Sequence, residues 1–367
     1  GGNNFNLDSY VSGAYSFQVY SSLVLRDPSA WYHLFLAFDT TQATASNRVK
    51  VYVNGVQVSS FITSSYPSLN LDSFVNNTDL HYVGNGPDNY YLDGYLSEVN
   101  FIDGQALTPS DFGETGDYGE WLPKKYVGTY GTNGFYLDFK DSGSLGNDAV
   151  GSNNWTPTNL AATDQMLDSP TNNFATWNPI DTNGVTFSEG SLKIIADDKG
   201  TTTTILPSDG KWYWETVLIE GYNEAATPLW LSVGICLGSA ESTPYAGHLG
   251  TGAIIGQNSN NSGFWINGVF TTAYTSWANG DIVGIAYDVD ALTLAFYKNG
   301  VKISADLAIT SSDNVISSRP VGASDDKSTL TTNFGQDSSF AGNKTAQGNT
   351  DGNGIGDFYY APPTGFL

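Results

Sequence analysis

Arg48-Val-Lys-Val-Tyr-Val-Asn-Gly-Val-Gln-Val58 sets valine at alternate positions on both sides of an Asn-Gly pair. Val49, Val51 and Val53 point one way while Arg48, Lys50 and Tyr52 point the other, the period-two pattern of a half-buried strand. Asn-Gly favours a two-residue hairpin because both residues of a type I′ turn need positive φ. Just upstream, Trp31-Tyr-His-Leu-Phe-Leu-Ala-Phe-Asp39 supplies an apolar strand, so the stretch reads as an antiparallel meander. The same order returns in Asp281-Ile-Val-Gly-Ile-Ala-Tyr-Asp288, Leu292-Thr-Leu-Ala-Phe-Tyr and Asn299-Gly-Val-Lys-Ile303. Further turns are marked by Asn133-Gly134, Asn183-Gly184, Asn267-Gly268 and Asn279-Gly280, and helical periodicity is almost absent. The reading is all-β, with two antiparallel β-sandwich domains in tandem and helical content limited to short turns such as Thr108-Pro-Ser-Asp-Phe112.

A chain of 367 residues suits two domains. Residues 1–140 are expected to form the first sandwich, N-terminally truncated because the chain opens at Gly1 as a piece of a longer one. Residues 141–180, rich in Asp, Asn, Ser and Thr, read as an extended connector. Its Trp155, Leu160, Met166, Phe174 and Trp177 are expected to dock on sandwich faces, making a packed arm. Residues 181–367 form the second sandwich, in which Trp212 and Trp214 share one strand face.

Lys plus Arg number 14 against 37 Asp plus Glu, a net charge of −23. Such a surface repels phosphates and anionic lipid, so nucleic acid is set aside as a partner. Apolar runs such as Trp31 to Phe38 are too short to cross a bilayer, which sets aside membrane insertion. With 41 Gly, 22 Tyr, 19 Phe and 9 Trp, the chain has tight-turn residues and enough aromatic bulk for substantial cores, which excludes disorder. The single cysteine, Cys236, excludes an intrachain disulfide and a Cys-based zinc site, and reads as an inert core thiol.

Trp31-Tyr-His, Tyr52-Val-Asn-Gly-Val and Leu92-Asp-Gly-Tyr-Leu-Ser-Glu-Val-Asn-Phe-Ile-Asp103 followed by Leu107-Thr-Pro resemble laminin-G-like domains of the concanavalin-like lectin class. Gly134-Phe-Tyr-Leu-Asp-Phe139 either completes that sandwich or opens an incomplete copy. In the second half, Lys211-Trp-Tyr-Trp-Glu215, Leu231-Ser-Val-Gly-Ile-Cys236, Asp281-Ile-Val-Gly-Ile285, Ala295-Phe-Tyr-Lys-Asn-Gly300 and Asn333-Phe-Gly-Gln336 resemble, in order, the motifs of a SPRY domain. The combination, with Phe101-Ile-Asp-Gly-Gln-Ala-Leu-Thr-Pro-Ser-Asp-Phe-Gly113, resembles structural proteins of marine bacteriophages. That resemblance implies a virion-surface or tail-fibre protein without enzymatic activity. Its implied partners are a host-surface glycan or protein and other virion proteins, and the chain is expected to form a homo-oligomer.

The SPRY resemblance implies ligand contact through loops at one edge of the sandwich, where Tyr222, Tyr245, His248, Trp265, Tyr274 and Trp277 are the candidate contacts. Aromatic faces suit sugar rings and peptide side chains alike. Asp351-Gly-Asn-Gly-Ile-Gly-Asp357 offers oxygens from Asp351, Asn353 and Asp357 around flexible glycines, which suits Ca²⁺, against the competing reading of an acidic turn. Asp88 and Asn89 are a second Ca²⁺ candidate, on the laminin-G-like half. Concanavalin-like glucan hydrolases would bring acids two apart on one strand; Glu114, Asp117 and Glu120 are three apart and alternate faces. A polysaccharide-acting enzyme or its carbohydrate-binding accessory module, and a self-assembling fibre subunit, are the competing function classes. His33, His81 and His248 share no metal-ligand spacing.

Overall fold

Both hairpin turns adopt the left-handed pair that Asn-Gly predicts, with φ of 47° and 77° at Asn54-Gly55 and of 50° and 77° at Asn299-Gly300. They belong to a computed structural model that describes residues 4–86, 91–180, 184–196, 199–205, 207–221, 231–237, 251–257, 262–266, 269–273, 277–309, 319–324 and 328–367. Among these residues there is no α-helix, and no helix is long and apolar enough to cross a membrane. The chain divides into two units, Gly1–Leu92 with Leu96–Ala162 and Ser169–Asn173, and Asp93–Tyr95 with Thr163–Asp168 and Phe174–Leu367. The stretch expected to be a connector is therefore shared between the units.

The first unit contains β1 (Asn4–Val11), β2 (Ala14–Val24), β3 (Leu34–Phe38), β4 (Val49–Val53), β5 (Val56–Gln57), β6 (Phe61–Ser65), β7 (Val99–Phe101), β8 (Gly113–Thr115), β9 (Trp121–Pro123) and β10 (Phe135–Leu137). Two three-stranded sheets, β1-β2-β6 and β3-β4-β5, close on one core of Val19, Val49, Val51 and Val58, with Phe5, Leu7, Phe38 and Phe61 packed against it. The alternation read in the valines is the burial pattern of β4, because every second residue meets the opposing sheet. Arg48 departs from it. Its guanidinium is buried and donates to the carbonyls of Gln42, Pro67 and Ala43 at 2.8, 2.8 and 3.1 Å, so the charge is held by peptide dipoles.

A run of aromatic contacts covers the other side of β3 and β4. Phe35 meets Tyr52 and Phe112, Phe112 meets Tyr126, and Tyr126 meets Tyr130. The expected capped turn is a short 3-10 helix, Pro109–Asp111, in which Asp111 Oδ2 accepts the Thr108 backbone N–H at 2.9 Å. Phe135–Leu137 pairs with Val99–Phe101, which settles the open question about residues 134–139: they complete the first unit. Trp155 packs edge-on against Phe135, 4.9 Å between centroids, whereas Leu160 stays exposed.

The second unit contains β11 (Thr186–Ser188), β12 (Lys193–Ala196), β13 (Lys199–Thr202), β14 (Lys211–Gly221), β15 (Leu231–Leu237), β16 (Thr251–Gln257), β17 (Ser262–Ile266), β18 (Val269–Ala273), β19 (Ile282–Asp288), β20 (Thr293–Lys298), β21 (Val301–Lys302), β22 (Leu307–Ala308), β23 (Arg319–Ser324) and β24 (Ser328–Asn333). One sheet runs β11-β12-β24-β14-β19-β20-β21, with β22 beside β20, and the other runs β13-β23-β15-β16-β17-β18. Ile194, Trp214, Ile285, Phe296 and Leu330 of the first sheet meet Val233, Ile235 and Phe264 of the second in one core, and Phe264 stacks on Phe296 at 5.4 Å. Trp177 is fully buried there, as the docking expectation required. Trp212 is half exposed and donates its Nε1–H to the Asp209 carbonyl at 2.6 Å, because the strand starts at the rim of the sheet.

The first sheet of this unit is covered on its outer side too. Tyr213 and Ala286 pack with Phe358, and Val217 and Ile282 pack with Phe340. Residues 337–367 thus lie over the centre of the sheet, and the backbone closes the arrangement where Tyr213 N–H donates to the Leu367 carbonyl at 2.7 Å. Strand β14 is consequently buried on both faces. Its unbroken run of large residues reflects that double burial.

Candidate functional site

Tyr222, Tyr245, His248 and Tyr274 lie outside the described residues, and so do Asp88 and Asn89. Trp265 and Trp277 are described, and each is only 5% exposed. Trp277 belongs to the core with Trp214 and Phe264, and Trp265 sits within β17 with its ring 5.1 Å from Phe270. Both correct the expectation of loop contacts. At Trp277 the cause is the following turn, where Gly280 N–H donates to the Leu218 carbonyl and Ala278 N–H to Asp281, tying the segment to β14. An indole held there gains more from burial than from water.

Each carboxylate of the glycine-rich acidic segment is used by the chain itself. Asp351 Oδ1 accepts the N–H groups of Asn353 and Ile355 at 2.7 and 3.0 Å, closing its own turn. Asp357 takes the hydroxyl and N–H of Ser338 at 2.5 and 3.1 Å. Among the described residues no group of three His, Cys, Asp or Glu could hold a metal ion. Glu114 lies on β8 opposite Leu122, while Glu120 accepts the Tyr118 N–H at 3.0 Å and so braces its turn. Asp148 is buried, accepting from the N–H groups of Tyr136, Val150 and Asn153, and organises its loop.

His33 is tied to Trp121, whose Nε1–H donates to His33 Nδ1 at 3.0 Å. Burial pushes the imidazole below its ordinary pKa and keeps it neutral, as an acceptor must be.

The sequence reading passed over Glu215 as part of a motif. The residue is fully buried on the outer face of β14. Its Oε1 accepts the Tyr213 hydroxyl at 3.1 Å and the Tyr360 N–H at 2.8 Å, and its Oε2 accepts the Tyr359 N–H at 2.8 Å. Burial pushes this carboxyl up to about 7, against the pull of the Tyr360 and Tyr359 N–H groups, the Tyr213 hydroxyl and Asn333. The Tyr213 hydroxyl is driven well above its ordinary value by burial and then by the Glu215 charge. An acid inside a strand apolar on both sides was the available signal, since such a group persists only with dedicated donors. The arrangement is a clasp for residues 359–360. Asn333 and Gln336 act similarly, donating to the carbonyls of Asp357 and Ala175.

A solvent-facing set was also missed. On the outward side of β1-β2-β6, Tyr10 and Tyr15 stand opposite each other with ring centroids 4.9 Å apart and planes at 68°. They are 59% and 52% exposed. Beside them the Tyr20 hydroxyl donates to Asp8 Oδ2, and Gln18 Nε2 donates to the Tyr20 oxygen at 2.9 Å.

The fold is that of an all-β chain of tandem sandwiches. Residues 1–111 match the family described as the concanavalin A-like lectin/glucanases superfamily, and residues 211–337 match the SPRY domain. A concanavalin-like lectin-type domain is therefore followed by a SPRY domain. The SPRY domain of human HERC1 is 15% identical, covers 42% of this chain and 96% of its own, with a TM-score of 0.33. The PSpry domain of TRIM65 is 14% identical and covers 43% of this chain and 89% of its own, with a TM-score of 0.34. No curated protein matches the chain.

Proposed function

We propose that the chain is a non-enzymatic adhesion protein of a virion surface or tail fibre, holding a host-surface glycan or protein while other parts of the particle hold it. The observation that supports this most directly is the pairing of a lectin-type with a SPRY domain in one chain. Support also comes from the acid hairpin at Glu114–Glu120, whose carboxylates occupy a strand and a turn rather than one strand face. In this reading the −23 charge keeps the surface solvated in salty water, where counter-ions screen its self-repulsion.

Attachment of the fluorescently labelled full chain to a panel of marine bacterial cells tests the reading. Saturable retention on some strains and none on others is expected. Uniform absence of retention, or release of reducing sugar from polysaccharides that disappears in Glu114→Gln or Glu120→Gln, would replace it with the structural or the enzymatic alternative.

A further inference from the structure

We propose that the outward face of β1-β2-β6 is a platform for the neutral pyranose units of an oligosaccharide, with Tyr10 and Tyr15 stacking on the sugar and Asp8, Gln18 and Tyr20 taking its hydroxyls. The proposal rests on the adhesion reading above and narrows its ligand.

The backbone aims the aromatic pair. Ser9 stands opposite Phe17 but Tyr10 stands opposite Tyr15, so β2 carries one extra residue at this point, Ser16. Without that bulge Tyr15 would follow Phe17 and Val19 to the buried side, two residues apart on one face. The extra residue turns it outward instead, which is how bulges re-aim side chains. Ser16 Oγ–H donates to the Ser9 carbonyl at 3.2 Å across the irregularity. A cross-strand aromatic pair stabilises a hairpin without any need for bulge, exposure or polar neighbours.

The polar part is organised before any ligand arrives. Tyr20 is held between Asp8 and Gln18, so the donor and acceptor directions of all three groups are set by the sheet. An ionised carboxylate offers about four lone-pair sites, and Tyr20 uses one of them. A pyranose matches this surface, since its C–H face stacks on aromatic rings while its equatorial hydroxyls meet carboxylate, amide and phenol groups at the side. An apolar protein surface would strand the Asp8 charge away from water. A β-strand peptide would add along a sheet edge, whereas Tyr15, Gln18 and Tyr20 stand on the face of β2, the central strand, whose backbone is already paired to β1 and β6. Sulfated or uronic sugars are disfavoured by Asp8 and by the −23 charge of the chain.

The test is binding of the full chain to immobilised neutral gluco-, manno- and galacto-oligosaccharides beside a sulfated galactan. Retention on at least one neutral series and not on the sulfated one is expected. Tyr10→Thr combined with Tyr15→Thr keeps strand-forming residues and should weaken binding roughly tenfold or more, since both stacking faces are lost. Asp8→Asn should weaken it several-fold, while Tyr118→Thr, on a different hairpin, should leave it unchanged. Should the double variant misfold by circular dichroism, protection of Tyr10 and Tyr15 from nitration by saturating sugar, read by mass spectrometry on the unaltered chain, gives the same answer. Equal binding by a folded double variant, nitration unaffected by bound sugar, or preference for the sulfated galactan overturns the proposal. If the chain attaches to cells but to no neutral sugar, this proposal falls and the adhesion reading stands; if it attaches to neither, both fall.

Discussion

Glu215 sets a pH dependence whose sign follows from its burial. Its folded-state pKa of about 7 exceeds the ordinary 4.5, so between those values the folded protein keeps a proton that the unfolded chain has released. Stability from this group is complete below about pH 4.5 and is lost as pH rises through 7, a change on the order of 3 kcal/mol. Glu215→Gln should flatten that dependence in chemical melts taken from pH 5 to 8. Glu215→Ala leaves the Tyr359 and Tyr360 N–H groups without their acceptor and should cost about 2–4 kcal/mol at neutral pH. His33 acts with the opposite sign, because a depressed imidazole pKa makes stability fall on acidification below about pH 6.5. Arg48→Ala, which strands three carbonyls, should cost about 2–3 kcal/mol by urea melting of the whole chain. Neither the Arg48 nor the Glu215 environment could be read from periodicity, because Arg48 is held by loop carbonyls at Gln42, Ala43 and Pro67 and Glu215 by N–H groups 144 and 145 residues away.

At the scale of elements, the turns were the most legible part. Asn54-Gly55 and Asn299-Gly300 announce their own backbone conformation, and the valines around the first announce which face is buried. What Gly55 does for its neighbours was not announced. A Cβ at that position would lie 2.3 Å from the Trp121 ring, and φ there is +77°. Gly55→Ala should therefore destabilise by more than about 2 kcal/mol, the left-handed penalty adding to displacement of the indole from His33. Fluorescence-detected unfolding would check it, and a cost below 1 kcal/mol would show that Trp121 moves freely. The outward turn of Tyr15 illustrates the opposite case. Alternation gives the wrong face for that ring, because a bulge shifts register without any strong local signal. Trp277 misled for a different reason: an aromatic beside a turn signal looks like a loop contact, yet hydrogen bonds to β14 hold the turn against the core.

For the molecule as a whole, 14 cationic side chains face 37 acids, and few ion pairs offset them among the described residues. Self-repulsion on that scale is screened over about 10 Å at 0.1 M salt and about 3 Å at 1 M. The melting temperature should accordingly rise between those salt concentrations, by differential scanning fluorimetry, and a flat or falling response would mean that the acids are locally compensated. The tandem architecture was visible in the order of strand motifs, and five of those motifs occupy β14, β15, β19, β20 and the end of β24. The cover supplied by residues 337–367 was invisible, since Gly, Asn and Asp dominate much of that stretch and its few anchors, Phe340 and Phe358, follow no period.

That cover has a consequence for biosynthesis. Glu215 leaves the ribosome 144 residues before the Tyr359 N–H that it must accept. At about 5–20 residues per second, the strand waits on the order of ten seconds with an unmatched acid at its centre. During that interval Glu215 should behave as an ordinary hydrated carboxylate, and the outer side of β14 closes only when Tyr359 and Tyr360 arrive.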